Sequence, residues 1–157
     1  MDGPSLQERF APESRCFGCG PANELGLRIR SHEDGATVVT EWQPRREHEA
    51  FAGFVNGGIL GTLIDCHSNW TAIAALMRPD RADDGSEAPS TVTAEYSVRF
   101  RRPTPSDRPL RLVGRVLEIA DDRATVETTV EADGAVTATG RATFVRVRPG
   151  HPAYGRW

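Results

Sequence analysis

The sequence predicts an α+β fold in which one long central helix is wrapped by a curved antiparallel sheet, and three features predict it. Residues 57–77 are apolar nearly all round, with Ile59, Leu60, Leu63, Ile64, Trp70, Ile73, Leu76 and Met77, and with alanines among them. Four strand-like runs follow this segment, and two more, joined at Asp34-Gly35, precede it. A helix that is apolar on every side is enclosed by other structure rather than resting on a surface. With strands before and after it, the enclosing layer is a sheet.

Taken in order, residues 1–15 are polar and irregular and read as an N-terminal arm. Leu25 to Ser31 reads as a strand on its alternating Leu25, Leu27 and Ile29. Asp34-Gly35 is a hairpin signal, and Ala36 to Trp42 is its partner strand. Pro44 to His48 is a charged loop. After the helix, Arg78 to Pro89 is acidic and glycine-containing, the composition of a mobile loop. Val92, Ala94, Tyr96, Val98 and Phe100 alternate until Pro103 and Pro105 end the run. Leu110 to Ile119, Arg123 to Glu131 and Ala135 to Val147 follow, turning at Asp121-Asp122 and Asp133-Gly134. Their threonine and valine content suits strands. Residues 148–157 form a proline- and glycine-containing tail. The chain therefore reads as a single domain over 1–157, with its core at 16–147.

The composition excludes several classes. At 157 residues and a formal charge of −3, with all 19 basic residues arginine, the chain carries no electrostatic footprint for nucleic acid. No stretch approaches the ~20 apolar residues of a membrane span, and no signal-peptide core opens the sequence. Three cysteines make no disulfide framework, so a reducing cytoplasm is the expected setting. Cys16-x-x-Cys19 has the spacing of a zinc or redox motif. No second Cys/His pair stands at ligand spacing, however, and a βαβ context is missing. It reads as a structural turn, with no metal and no cofactor expected.

The chemistry concentrates at the start of the long helix. Asn56-Gly57-Gly58 opens it, and Asp65 follows about two turns later. The first amides of a helix lack internal partners and lie at the positive end of its dipole, so they suit a polarised carbonyl oxygen or an oxyanion. The bland alternative is that Gly57 and Gly58 let the helix approach the sheet, and that Asp65 is a structural buried acid. Thr62, Asp65, Asn69 and Ala72 share one side of the helix and form a candidate site wall. His67, two positions from Asp65, lies on another face and reads as a packed core residue. Gly58 and Asp65 are separated by about 10 Å along the axis, so serving one substrate requires two chains. A homodimer with an interfacial site is the expectation.

These residues resemble the hotdog-fold acyl-CoA thioesterases of the PaaI-like branch, over roughly residues 16–147. Cys16-Phe17-Gly18-Cys19-Gly20-Pro21 with Asn23 and Gly26-Leu27 is similar to the family's N-terminal signature. Asn56-Gly57-Gly58 falls where the family usually has His-Gly-Gly, and Asp65 where it has its catalytic Asp or Glu. Thr93 to Pro105 is similar to the strand after the helix, whose leading Thr assists catalysis in some members. The resemblance implies hydrolysis of an acyl-CoA or similar thioester by a homo-oligomer, a dimer or a dimer of dimers. Asp65 would be general base or nucleophile, Asn56, Gly57 and Gly58 would hold the carbonyl oxygen, and Thr93 and Asn69 would position water. Thr62 would line the substrate site, and Arg101 and Arg102 would meet coenzyme A phosphates or else be solvated edge charges. Strand alternation sets Thr93 opposite the Val92, Ala94, Tyr96 row, so its access to the site needs a bulge or a sheet edge. Asn56 departs from the family histidine: its amide donates a hydrogen bond but carries no proton at neutral pH. A non-catalytic acyl-CoA-binding module is therefore an alternative, and a hotdog enoyl-CoA hydratase or dehydratase a second.

Overall fold

The computed structural model describes residues 3–77 and 88–156. The long helix, α2 after a short N-terminal α1 (Leu6–Phe10), spans Gly57–Leu76 and ends on Met77. From Cys66 to Ala74 every residue of α2 is buried. One antiparallel sheet covers it, built from β1 (His32–Asp34), β2 (Thr37–Trp42), β5 (Thr91–Phe100), β6 (Leu110–Ala120), β7 (Arg123–Ala132) and β8 (Ala135–Arg146), in the order β1-β2-β6-β7-β8-β5. Between β2 and α2 lie a single 3₁₀ turn (Arg46–His48) and the small hairpin β3 (Glu49–Phe51) and β4 (Phe54–Val55). This is the expected α+β architecture, a hotdog fold. Among the described residues no helix is long and apolar enough to cross a membrane.

Local chemistry accounts for the joints. Asp34 pairs with Thr37 across a two-residue turn, with Gly35 at φ +59°. Asp133 and Gly134 both have positive φ, the pattern of a type I′ turn whose twist matches the flanking strands. Two glycines set how closely α2 lies on the sheet. A Cβ at Gly114 on β6 would come 2.2 Å from Thr71 Oγ1, and one at Gly140 on β8 would come 2.2 Å from Ile64 Cγ2. Leu63, Ile64, Trp70 and Ile73 fill the resulting core with Leu110, Leu112 and Val130.

The N-terminal third differs from the reading of the sequence. Leu25 to Ser31 forms no strand. Arg28 sits at φ +56°, which breaks extension, and the amides of Leu27 and Ile29 donate to Phe17 O and Gly18 O instead of to a sheet. Leu27 and Ile29 are nevertheless buried, whereas Leu25 is 89% exposed. Residues 1–15 are not wholly irregular either: Ser5 and Glu8 form a reciprocal capping box that starts α1, and Leu6 and Gln7 are buried. The segment thus covers the side of α2 that the sheet leaves open. A buried relay fastens it. His67 donates from Nε2 to Val38 O (3.0 Å) and accepts at Nδ1 from Ser31 Oγ (2.9 Å), and Ser31 Oγ in turn accepts from Gln7 Nε2 (3.0 Å). Full burial pushes the His67 pKa down to about 4, so the ring is neutral and structural, as its helical face implied. The acidic loop expected at Arg78 to Pro89 lies, over residues 78–87, outside the described residues.

Candidate functional site

Strand β5 is the outer strand of the sheet beside β8, and its register shifts between Thr93 and Glu95, so Ala94 is the extra residue of a bulge. Both conditions for Thr93 to reach the helix are met. Its hydroxyl donates to Asp65 Oδ1 at 2.8 Å. Asp65 is half-buried; burial raises its pKa above the ordinary carboxylate value, against the lowering effect of the Thr93 hydrogen bond. The pair lines a cleft of about 310 Å³ together with Cys16, Cys19, Cys66, Asn69, Thr91, Ala153 and Arg156. Asn69 is buried and its Oδ1 accepts from Thr91 Oγ1 (2.6 Å), which orients its amide nitrogen away from that bond. A partly desolvated carboxylate with one fixed hydroxyl donor can accept a proton from water or attack a carbonyl carbon.

The helix start lies in a second cleft, of about 440 Å³, lined by Phe51, Phe54, Gly57, Phe100, Arg101 and Arg102 among others. Asn56 is the N-cap of α2: its Oδ1 accepts from Gly58 N–H at 2.7 Å, and its own N–H donates to His48 O at 2.8 Å. The Gly58 amide, expected to face a substrate carbonyl, is therefore satisfied within the chain, and Asn56 Nδ2 and the amide of Gly57 are the donors that the cap does not use. Gly57 and Gly61 also serve packing, since Phe100 lies over the first and Tyr96 over the second. Thr62, expected on the site wall, turns its hydroxyl back to Gly58 O (3.0 Å) and packs its methyl near Gly18. Arg101 and Arg102 are exposed at the mouth of this second cleft.

Three features were not legible from spacing. Ala153 and Arg156 of the tail fold over the Asp65 cleft, anchored where Gly155 N–H donates to Ser90 Oγ (3.0 Å). Cys66, one residue past Asp65, comes to the Cys16–Cys19 turn, with its Sγ 3.7 Å from that of Cys16. The turn is held tightly: a Cβ at Gly18 would come 2.3 Å from Cys66 Sγ. The signal that could have found Cys66 is its position one residue from Asp65, on a helix that the turn must cross.

Comparison with known proteins bears on this arrangement. The model of the thioesterase superfamily matches residues 52–139. Similar solved structures include a thioesterase superfamily protein from Shewanella loihica, 30% identical, over 82% of this chain and 98% of that one, with a TM-score of 0.65. A Streptococcus mutans protein solved with acetyl CoA bound is 18% identical over 86% of this chain and 94% of that one (TM-score 0.65). The E. coli PaaI protein from the phenylacetic acid degradation operon is 14% identical over 78% and 81% (TM-score 0.62). At these identities the last two show the fold alone. Among curated proteins none matches the chain significantly.

Proposed function

Because the chain belongs to the thioesterase superfamily, we propose that it hydrolyses acyl-CoA thioesters at a site completed between two copies. The observation that carries the reading is the Thr93 hydroxyl at 2.8 Å from Asp65 Oδ1 in an open cleft. In this reading Asp65 accepts a proton from water, and the resulting hydroxide attacks the thioester carbonyl. Thr93 holds the carboxylate in place, and Asn69 offers its free amide nitrogen to the water. The tetrahedral oxygen rests on the helix start of the second copy, where Asn56 Nδ2 and the amide of Gly57 supply donors at the positive end of α2. Collapse expels the coenzyme A sulfur, which takes up the proton. In this reading Arg101 and Arg102, which line the cleft with Phe51, Phe54 and Phe100, would meet the coenzyme's phosphates, and the phenylalanines its apolar part. The axial separation of Gly58 and Asp65, about 10 Å, supports the two-copy arrangement.

Following free thiol released from a panel of acyl-CoA esters tests the reading. Wild type should release coenzyme A from at least one ester, and Asp65→Asn should lose ~10²-fold or more with its circular dichroism unchanged. Full activity in Asp65→Asn would reject the assignment. Tight acyl-CoA binding without thiol release by wild type would favour the non-catalytic binding module.

A further inference from the structure

All three cysteines of the chain meet at one point, although Cys66 stands 50 positions after Cys16. Their sulfurs lie within 4.8 Å of one another, and Cys16 and Cys66 are 3.7 Å apart. We propose that Cys16, Cys19 and Cys66 form a three-thiolate site for a thiophilic metal ion, Zn²⁺, whose fourth position opens into the Asp65 cleft. Tetrahedral zinc with Zn–S bonds of about 2.3 Å holds its sulfurs about 3.8 Å apart. The three sulfurs therefore need only sub-ångström to ångström shifts to close on one ion.

The surroundings supply a donor to the cluster. Trp70 donates its indole N–H to Cys19 Sγ at 3.3 Å. Such an N–H···S bond stabilises charge on a ligating sulfur and fixes its direction. Glycine is required at position 18 for Cys66 to approach, and a Cβ at Gly20 would come 2.5 Å from both Cys16 N and Ser14 O. The turn is thus shaped to deliver two sulfurs onto the third. Cys16 is half-buried and lines the cleft with Asp65 and Asn69, which leaves the fourth position to water from that side. On binding, each thiol that is still protonated passes its proton to solvent as its Zn–S bond forms, with no change of oxidation state. The ion would tie the N-terminal turn to the middle of α2.

The test uses tag-free, reduced protein stripped with a chelator. Zn²⁺ in competition with a chromophoric chelator should bind at one ion per chain. Co²⁺ should give sulfur-to-metal charge-transfer absorption and the intense d–d bands of a tetrahedral site. Zn²⁺ should shield all three cysteines from alkylation and, at a hundredfold excess over Kd, raise Tm by roughly 5–10 °C. Cys16→Ser, at the half-buried position, should weaken binding ~100-fold or more while its unliganded Tm stays near wild type. Absence of stoichiometric binding, octahedral cobalt spectra, or binding unchanged in Cys16→Ser would overturn the proposal. So would reduced, unliganded thiols that resist alkylation as fully as the zinc form while wild type binds no Co²⁺. All these readouts are independent of thioester hydrolysis, so the site and the proposed activity stand or fall separately.

Discussion

Asn56 uses both ends of one amide. Its oxygen caps α2 by accepting from Gly58 N–H, and that bond leaves its nitrogen pointing outward as a donor. The two roles separate by substitution. Asn56→Ala should lose the cap, about 1 kcal/mol, with Tm falling by a few degrees, and should also lose activity. Asn56→Asp keeps an oxygen for the cap and suits the helix dipole, so stability should hold or rise. It places negative charge where the carbonyl oxygen would rest, so kcat/KM should fall ~10²-fold or more. Thermal melts beside thiol-release assays check this; an active Asn56→Asp would remove Asn56 from the carbonyl site. His48, just behind this cap, is the pH-sensitive residue of the region. Its Nδ1 accepts from Arg45 N–H (3.0 Å), its ring lies 4.9 Å from that of Trp42, and its carbonyl holds Asn56 N–H. Burial, followed by the nearby Arg45 charge, lowers its pKa. A lowered folded-state value means that the unfolded chain binds the proton first. The stabilising contribution is present above the ordinary histidine range and is lost as pH falls through it towards the folded value. Denaturant midpoints between neutral and mildly acidic pH should therefore fall more for wild type than for His48→Asn, whose amide oxygen preserves the Arg45 contact without titrating.

Among the elements, the central helix was the most legible, because a segment apolar on all sides has one stable placement. The bounds read as 57–77 differ from Gly57–Leu76 by the capping residue alone. The bulge and outer position of β5 were legible as a requirement on Thr93, although no residue in the strand announces which of them occurs. The stretch from Leu25 to Ser31 misled because its alternation is real: Leu27 and Ile29 are buried, but under a loop whose carbonyls replace a neighbouring strand. The α1 cap was readable in Ser5 and Glu8, and only the shortness of the helix concealed it. Helix–sheet spacing gives a contrast in glycines. Gly140→Ala puts a methyl 2.2 Å from Ile64 Cγ2 and should destabilise by about 1–3 kcal/mol. Gly61→Ala meets only the Tyr96 side chain, at 3.4 Å from its hydroxyl and 3.8 Å from its ring, and gains helix propensity, so it should stabilise by up to about 1 kcal/mol. Equilibrium unfolding in urea measures both; effects of the same sign and size would contradict the packing described for α2.

At the scale of the whole molecule, the two clefts make a prediction about subunits. Asp65 and Gly57 line separate clefts of one chain. If the site joins Asp65 of one copy to the helix start of another, two inactive variants complement each other. Co-refolding Asp65→Asn with Asn56→Asp in equal amounts should restore about a quarter of wild-type activity. Half the dimers are then mixed, and each mixed dimer holds one intact site of two. No recovery from a mixture shown to contain mixed dimers would place both residues in one chain's site or dissolve their partnership. What the sequence could not show at this scale is which distant residues meet. Spacing did not show Cys66 as a neighbour of Cys16 and Cys19, because ligand spacing along a chain is local, whereas here the third sulfur arrives on another element.

The order of synthesis adds a consequence of the sheet's layout. Strand β2 pairs with β6, Trp42 against Leu110, so that strand must wait about seventy residues for its neighbour to be made. During that interval the whole of α2 has been synthesised, while β6, β7 and β8, which cover it, have not. The most apolar helix of the chain is thus made before its cover. The N-terminal segment and the β1–β2 hairpin, already made, are the layers then available to it, and Gln7, Ser31, Val38 and His67 all belong to that early half. A nascent chain that docks residues 3–31 on α2 would shelter the helix until the last strand arrives, and the N-terminal third would then act during biogenesis as well as in the finished fold.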